Sequence, residues 1–73
     1  MPVQIQNPWH RVAWTYYRIG RYAVGRGQSR WEIRWCRKTY MCVVYRGWPG
    51  VEVDRFKWLG DAIRFVEDCV LKK

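Results

Sequence analysis

The sequence predicts an α+β domain, an antiparallel sheet of three to four strands with one C-terminal helix packed on one face. Three observations predict it. Trp31, Ile33 and Trp35 alternate with Arg30, Glu32, Arg34 and Cys36, a period-two pattern through 30–37, and β-forming residues fill 40–46. Turn-forming residues separate these runs at hairpin spacing. Over 57–73 the period changes to 3.6, and Leu59, Ala62, Ile63, Val66, Cys69 and Val70 form one apolar stripe.

The elements follow in chain order. Residues 1–8 are polar, hold Pro2 and Pro8, and read as a flexible N-terminal arm before a single domain over 9–73. Val12, Trp14 and Tyr16 alternate with more mixed positions, as in a strand over 11–17. Ile19-Gly20 interrupts that run as a turn or bulge would. Residues 21–25 resume an extended pattern, and 25–29 (GRGQS) reads as a hairpin loop. With 37–40 as the next turn, Trp31 faces Arg46, Ile33 faces Val44 and Trp35 faces Cys42. By the same logic Val24 faces Trp31 and Tyr22 faces Ile33. Trp48-Pro49-Gly50 has the residue order of a type II turn, and 51–56 reads as a short edge strand. In the final helix Asp61 lies in the first turn and Lys72-Lys73 follow the last, as the helix dipole favours. Gly60 weakens its start, and no Ser, Thr, Asp or Asn stands at the cap position beside Trp58.

This register sorts the side chains. Tyr22, Val24, Trp31, Ile33, Trp35, Cys42 and Val44 gather on the face that receives the helix. Arg21, Ala23, Arg30, Glu32, Arg34, Cys36, Met41, Val43 and Tyr45 gather on the other. Cys36 and Cys42 then project from opposite faces and cannot form a disulfide.

Composition narrows the function. The chain has 73 residues, 49% of them apolar and 18% aromatic with six Trp, which excludes a disordered tail. A chain this short buries only about 60% of its unfolded surface, so a walled catalytic cleft is not expected. No Ser-His-Asp or Cys-His arrangement and no phosphate-cradling loop is present, and Asp61, Glu67 and Asp68 read as the solvated side of the helix. We therefore expect no enzyme activity and no cofactor. Three cysteines without a CxxC pair, and His10 as the only histidine, do not make a zinc site. The odd cysteine count and the absence of a secretion signal lead to the expectation of a reducing, cytoplasmic location. No apolar run approaches the roughly 20 residues of a membrane span.

The charge is informative. The chain carries a net +8, with Arg outnumbering Lys ten to four. Residues 1–46 hold nine Lys and Arg against Glu32 alone, whereas 47–73 hold five against five. Such an excess implies an anionic partner, and Arg is the better fork for phosphate or carboxylate. Nine of thirteen aromatics share that basic segment, a mixture suited to phosphates and to unpaired bases. Candidate binding residues are Arg21, Arg30, Arg34 and Arg46 with Tyr45, and at the loops Arg26, Arg37 and Lys38. Trp48 in its turn and Trp58 at the helix entrance are candidate exposed anchors. The core-facing aromatics Trp14, Tyr16, Tyr22, Trp31 and Trp35 are expected in the core.

Residues 29–47 (SRWEIRWCRKTYMCVVYRG) followed by 54–70 (DRFKWLGDAIRFVEDCV) carry a likeness. This part of the chain resembles the three-stranded-sheet-plus-helix DNA-binding domains of tyrosine integrases and plant ethylene-response factors. The shared signals are a W-x-h-R strand at Trp31–Arg34 and an F-x-x-L-x-acid-A run at Phe56, Leu59, Asp61 and Ala62. The resemblance implies a sheet laid in the DNA major groove and would implicate Arg21, Arg30, Arg34 and Arg46. The chain departs from the family pattern at Trp58, where a small capping residue is usual, and in its extra strand at 9–18. The small, Trp-rich, lopsidedly charged character is also similar to phage or plasmid accessory proteins, including anti-CRISPR-type inhibitors. In that reading the partner is an acidic host protein surface or a nucleoprotein complex. A third reading is a homodimer in which the strand at 9–18 pairs edge to edge.

Overall fold

The computed structural model describes residues 3–5, 12, 14–18 and 20–71, with the backbone alone for 3–5 and 16–18. Trp9, His10, Lys72 and Lys73 lie outside the described residues. Six antiparallel strands follow one another in a meander whose spatial order is the chain order. They are β1 (Val3–Ile5), β2 (Trp14–Arg18), β3 (Arg21–Val24), β4 (Trp31–Cys36), β5 (Met41–Arg46) and β6 (Val51–Phe56). The helix α1 (Leu59–Leu71) follows. The α+β class and the single C-terminal helix are as expected, but the sheet is wider than three to four strands.

The inner register matches the alternation. Trp31 faces Arg46, Ile33 faces Val44 and Trp35 faces Cys42, while Val24 faces Trp31 and Tyr22 faces Ile33. A period-two pattern with a short turn leaves few alternatives, since a one-residue slip would turn the whole apolar set to solvent. The β2–β3 turn is as tight as Ile19-Gly20 suggests. Gly20 has φ +76°, and a Cβ there would lie 3.1 Å from Cβ of Trp35, so no larger residue fits without displacing that side chain.

Three expectations are corrected. Val3–Ile5, assigned to the arm, pairs with β2, Val3 opposite Tyr16 and Ile5 opposite Trp14. The strand expected within 9–18 is interior, with β1 on one side and β3 on the other, so it offers no edge for a homodimer. The Trp48–Pro49 peptide is cis, which places Pro49 third in a turn over Gly47–Gly50 rather than second in a type II turn.

The core lies between the sheet and α1. Trp14, Trp31, Ile33, Cys42 and Val44 meet Ala62, Ile63 and Val66, all of them buried. Leu59, Cys69 and Val70 complete the helical stripe at its margins. The Phe65 ring stands edge-on to Trp31 at 6.2 Å and is tilted 5.3 Å from Phe56, pinning the middle of α1 over β4 and β6. Burying a side chain of this kind contributes roughly 1.5–3 kcal/mol, so the few residues of the stripe hold the helix despite its uncapped start.

Glu67 was expected on the solvated side of the helix and is instead 1% exposed. Its carboxylate accepts a hydrogen bond from the Trp14 indole Nε1 at 3.2 Å and from the Val12 backbone N at 3.4 Å. A buried carboxylate persists only when hydrogen-bonded, and here it ties α1 to the start of β2.

Candidate functional site

With α1 on one side, no helix among the described residues covers the other side of the sheet, and the register sets two adjacent rows of residues across it. One runs Arg18, Arg21, Arg34, Val43, Arg55. Its neighbour runs Thr15, Ala23, Glu32, Tyr45, Glu52. Strands about 4.8 Å apart set Arg21 beside Arg34, with Arg55 beyond Val43, in a band across the sheet. The second row interleaves it with acids and one aromatic ring.

Arg34 is the most constrained member. Its guanidinium donates to Glu32 Oε1 from Nε at 2.8 Å and from Nη2 at 2.7 Å, and lies 4.4 Å from the centroid of the Tyr45 ring. Glu32 is 3% exposed and also lies 3.6 Å from Arg30 Nη2. The Arg30 guanidinium in turn sits 5.3 Å from the Trp48 ring centroid. Two guanidinium–aromatic pairs therefore flank one buried carboxylate on β4. Arg55 is held by the two oxygens of Glu52, at 2.6 Å from Nε and 3.1 Å from Nη2. That contact keeps the Glu52 carboxyl below its ordinary range and raises Arg55. Arg21, Arg30, Arg34 and Arg55 outnumber Glu32 and Glu52 on this face, but Arg34 and Arg55 are engaged by those acids. Ala23 and Val43, short and set between longer neighbours, are buried here although no helix covers them.

The remaining candidates divide between the two ends of the sheet. At one end, the 3-10 turn Gly27–Ser29 and the turn Gly47–Gly50 lie side by side, joined by the Gly47 N–H to Arg30 carbonyl bond at 2.7 Å. Arg26 is exposed there, and the Trp48 indole is 61% exposed. Arg37 and Lys38 lie at the opposite end, exposed in the β4–β5 turn. Trp58 also belongs to that end, 65% exposed at the start of α1, with Lys57 Nζ 5.7 Å from its ring. The structure links Arg30, Arg34, Tyr45 and Trp48 through Glu32 and the ring contacts and sets Arg21 opposite Arg34, while Arg26 lies at the Trp48 end and Arg37, Lys38 and Trp58 at the other.

Arg46 lies where the register predicts, apart from the other arginines. It stands opposite Trp31, on the helix side, with its guanidinium 4.7 Å from the Trp31 ring centroid. It therefore lies on the opposite face from Arg21, Arg30 and Arg34. Trp35 departs from the core expectation, being 43% exposed, with Tyr40 edge-on at 6.1 Å. An open apolar groove of about 310 Å³ adjoins it between the sheet and the start of α1, where Trp35, Trp58, Tyr22 and Leu59 contribute to its walls.

Arg55 and Glu52 are members of this face that the sequence does not single out, since they belong to the charge-balanced segment 47–73. The signal that would have found them is the pairing of β6 with β5, and that pairing holds an irregularity no alternation rule anticipates.

The three cysteines are free. Cys36 faces away from the helix, and hydrogen bonding from the Thr39 side chain, then from the Thr39 and Lys38 backbone, holds its thiol below the ordinary value. Cys42 is in the core, and burial pushes its thiol up. Among the described residues no helix is long and apolar enough to cross a membrane. Comparison with known protein families, characterised proteins and solved structures finds no match for this chain.

Proposed function

We propose that this protein is a non-enzymatic nucleic-acid-binding domain that contacts its partner through the helix-free face of the sheet and the adjoining loops. The observation that carries this reading is the row of arginines across the sheet face opposite α1, together with Arg30 beside the exposed Trp48. Guanidinium groups neutralise phosphates and release counterions, and the planar fork suits phosphate oxygens. The resemblance to sheet-plus-helix DNA-binding domains points the same way through Arg21, Arg30 and Arg34.

Salt dependence tests it. Binding to DNA or RNA oligonucleotides, followed by fluorescence anisotropy, should weaken linearly in log K against log salt. Each phosphate contact contributes about −0.7 to −0.9 to that slope. Arg21→Glu should weaken binding and flatten the slope, because Arg21 reverses sign without unpairing a buried acid. Arg34→Glu is a poor probe: it would set two carboxylates together where Glu32 is 3% exposed. Absence of binding to DNA and RNA at low salt would refute the proposal.

A second reading has its own observation. The apolar groove beside Trp35 and Trp58, with exposed Tyr40 nearby, is suited to a protein partner, as an inhibitor of a host protein or nucleoprotein complex would require. Nuclease-resistant, stoichiometric capture of one host protein, lost on Trp58→Ala, would favour that reading.

A further inference from the structure

We infer, resting on the nucleic-acid reading above, that the preferred ligand is a single strand rather than a duplex, and that Trp48 is the platform on which an unpaired base stacks. Trp48 is 61% exposed, and its neighbours hold the turn that carries it and line one side of its ring. Gly47 and Gly50 close the turn at φ +82° and +112°, and the Trp48 carbonyl accepts a hydrogen bond from Gln28 Nε2 at 3.4 Å. The Arg30 guanidinium lies 5.3 Å from the ring centroid and is itself drawn toward buried Glu32 at 3.6 Å. A large aromatic held in this way loses little further freedom when a flat ligand joins it.

The electrostatics of the face favour the same ligand. Arg34 and Arg55, two of the arginines in the band, are already engaged by Glu32 and Glu52. Phosphate attraction alone is thereby weakened, and a second source of affinity is needed. Stacking supplies it, because every base has a π-face and an unpaired strand leaves that face accessible. In an intact duplex those faces are covered by neighbouring bases, so an indole at the tip of a turn has little to stack on. Arg30, just before β4, and Arg34 within it lie four residues apart in extended chain, roughly 13 Å. Backbone phosphates can thus run over the band while a base reaches Trp48 at the end of the sheet.

The test compares three polyanions: a fluorescein-labelled oligothymidine, a duplex of the same length, and heparin, which carries anionic groups but no bases. The wild-type protein should bind the oligothymidine most tightly. Trp48→Ala should weaken that complex about tenfold, within the range of one lost base stack, and leave duplex and heparin affinities within about twofold. Trp48→Phe should recover most of the loss. A bromouracil-substituted strand should crosslink to the peptide containing Trp48, which gives a readout on the unmutated chain. Tighter binding to duplex, an equal effect of Trp48→Ala on all three ligands, or crosslinking elsewhere would overturn the single-strand inference while leaving nucleic-acid binding intact. If neither oligonucleotide binds at low salt, both are overturned.

Discussion

Replacing Glu67 by Ala tests the principal polar tie between the helix and the sheet. The carboxylate is 1% exposed and accepts from the Trp14 indole at 3.2 Å and the Val12 backbone at 3.4 Å. A hydrogen bond to a charged group contributes about 1.5–3 kcal/mol, and a buried donor left without an acceptor costs about 1–3 kcal/mol. The indole bond is wholly buried and belongs at the upper part of these ranges. The Val12 bond is longer and half-buried, so it belongs at the lower. Together with the space vacated beneath the helix, the loss should come to about 3–4 kcal/mol. A domain of 73 residues has a total stability of about 4–11 kcal/mol, so Glu67→Ala removes a large part of it. Urea denaturation followed by far-UV circular dichroism measures the effect. With a slope near 1 kcal/mol per molar urea for so small a chain, the midpoint should fall by about 3 M. Glu67→Gln keeps the shape and one acceptor oxygen and should cost about 1 kcal/mol. If Glu67→Ala fails to fold, a double-mutant cycle of Glu67→Leu, which removes the acceptor at similar volume, with Trp14→Phe reads the same contact and should show coupling above about 0.5 kcal/mol. A loss below about 1 kcal/mol for Glu67→Ala, or additive effects in the cycle, would refute the assignment of Glu67 as the tie.

Two further predictions concern the helix start and the thiols. Gly60 is exposed in the first turn of α1 and a Cβ there would meet nothing within 4 Å, so Gly60→Ala should stabilise the domain by about 0.5–1 kcal/mol, seen as a raised urea midpoint. Iodoacetamide should label Cys36 first and at lower pH than an unperturbed cysteine, because Thr39 favours its thiolate, whereas Cys42 should label last, its thiol raised by burial. Thr39→Ala should move the Cys36 labelling profile to higher pH, and equal labelling rates at Cys36 and Cys42 would contradict both directions.

Much of the scaffold was legible because two periodicities are strong. Alternation through β4 and β5, with turns at 37–40 and 25–29, specifies pairing residue by residue, and the stripe of α1 specifies which face is buried. β1 was not legible: Val3–Ile5 is three residues long, too short to establish a period-two pattern, so nothing local distinguishes it from a polar arm. Glu67 was misread for a related reason. A glutamate near the end of an amphipathic helix reads as solvated unless its partner, here Trp14 more than fifty residues away in sequence, is known.

For the binding face, the sequence by itself determined that the cationic excess belongs to 1–46, and that Arg21, Arg30 and Arg34 share one side of the sheet. Tertiary structure decided which of those charges are neutralised and what joins them. Continuing the β5–β6 register outward from Arg46–Val51 and Tyr45–Glu52 would set Asp54 opposite Val43 on the helix-free face. The irregularity between Val44 and Tyr45 adds a residue on β6, so Arg55 takes that place and Asp54 turns to the helix side opposite Val44. A bulge reverses the facing of every residue beyond it because side chains alternate with a period of two. The charge of the face at that position is therefore set by one extra residue in the ladder, which composition and alternation cannot reveal.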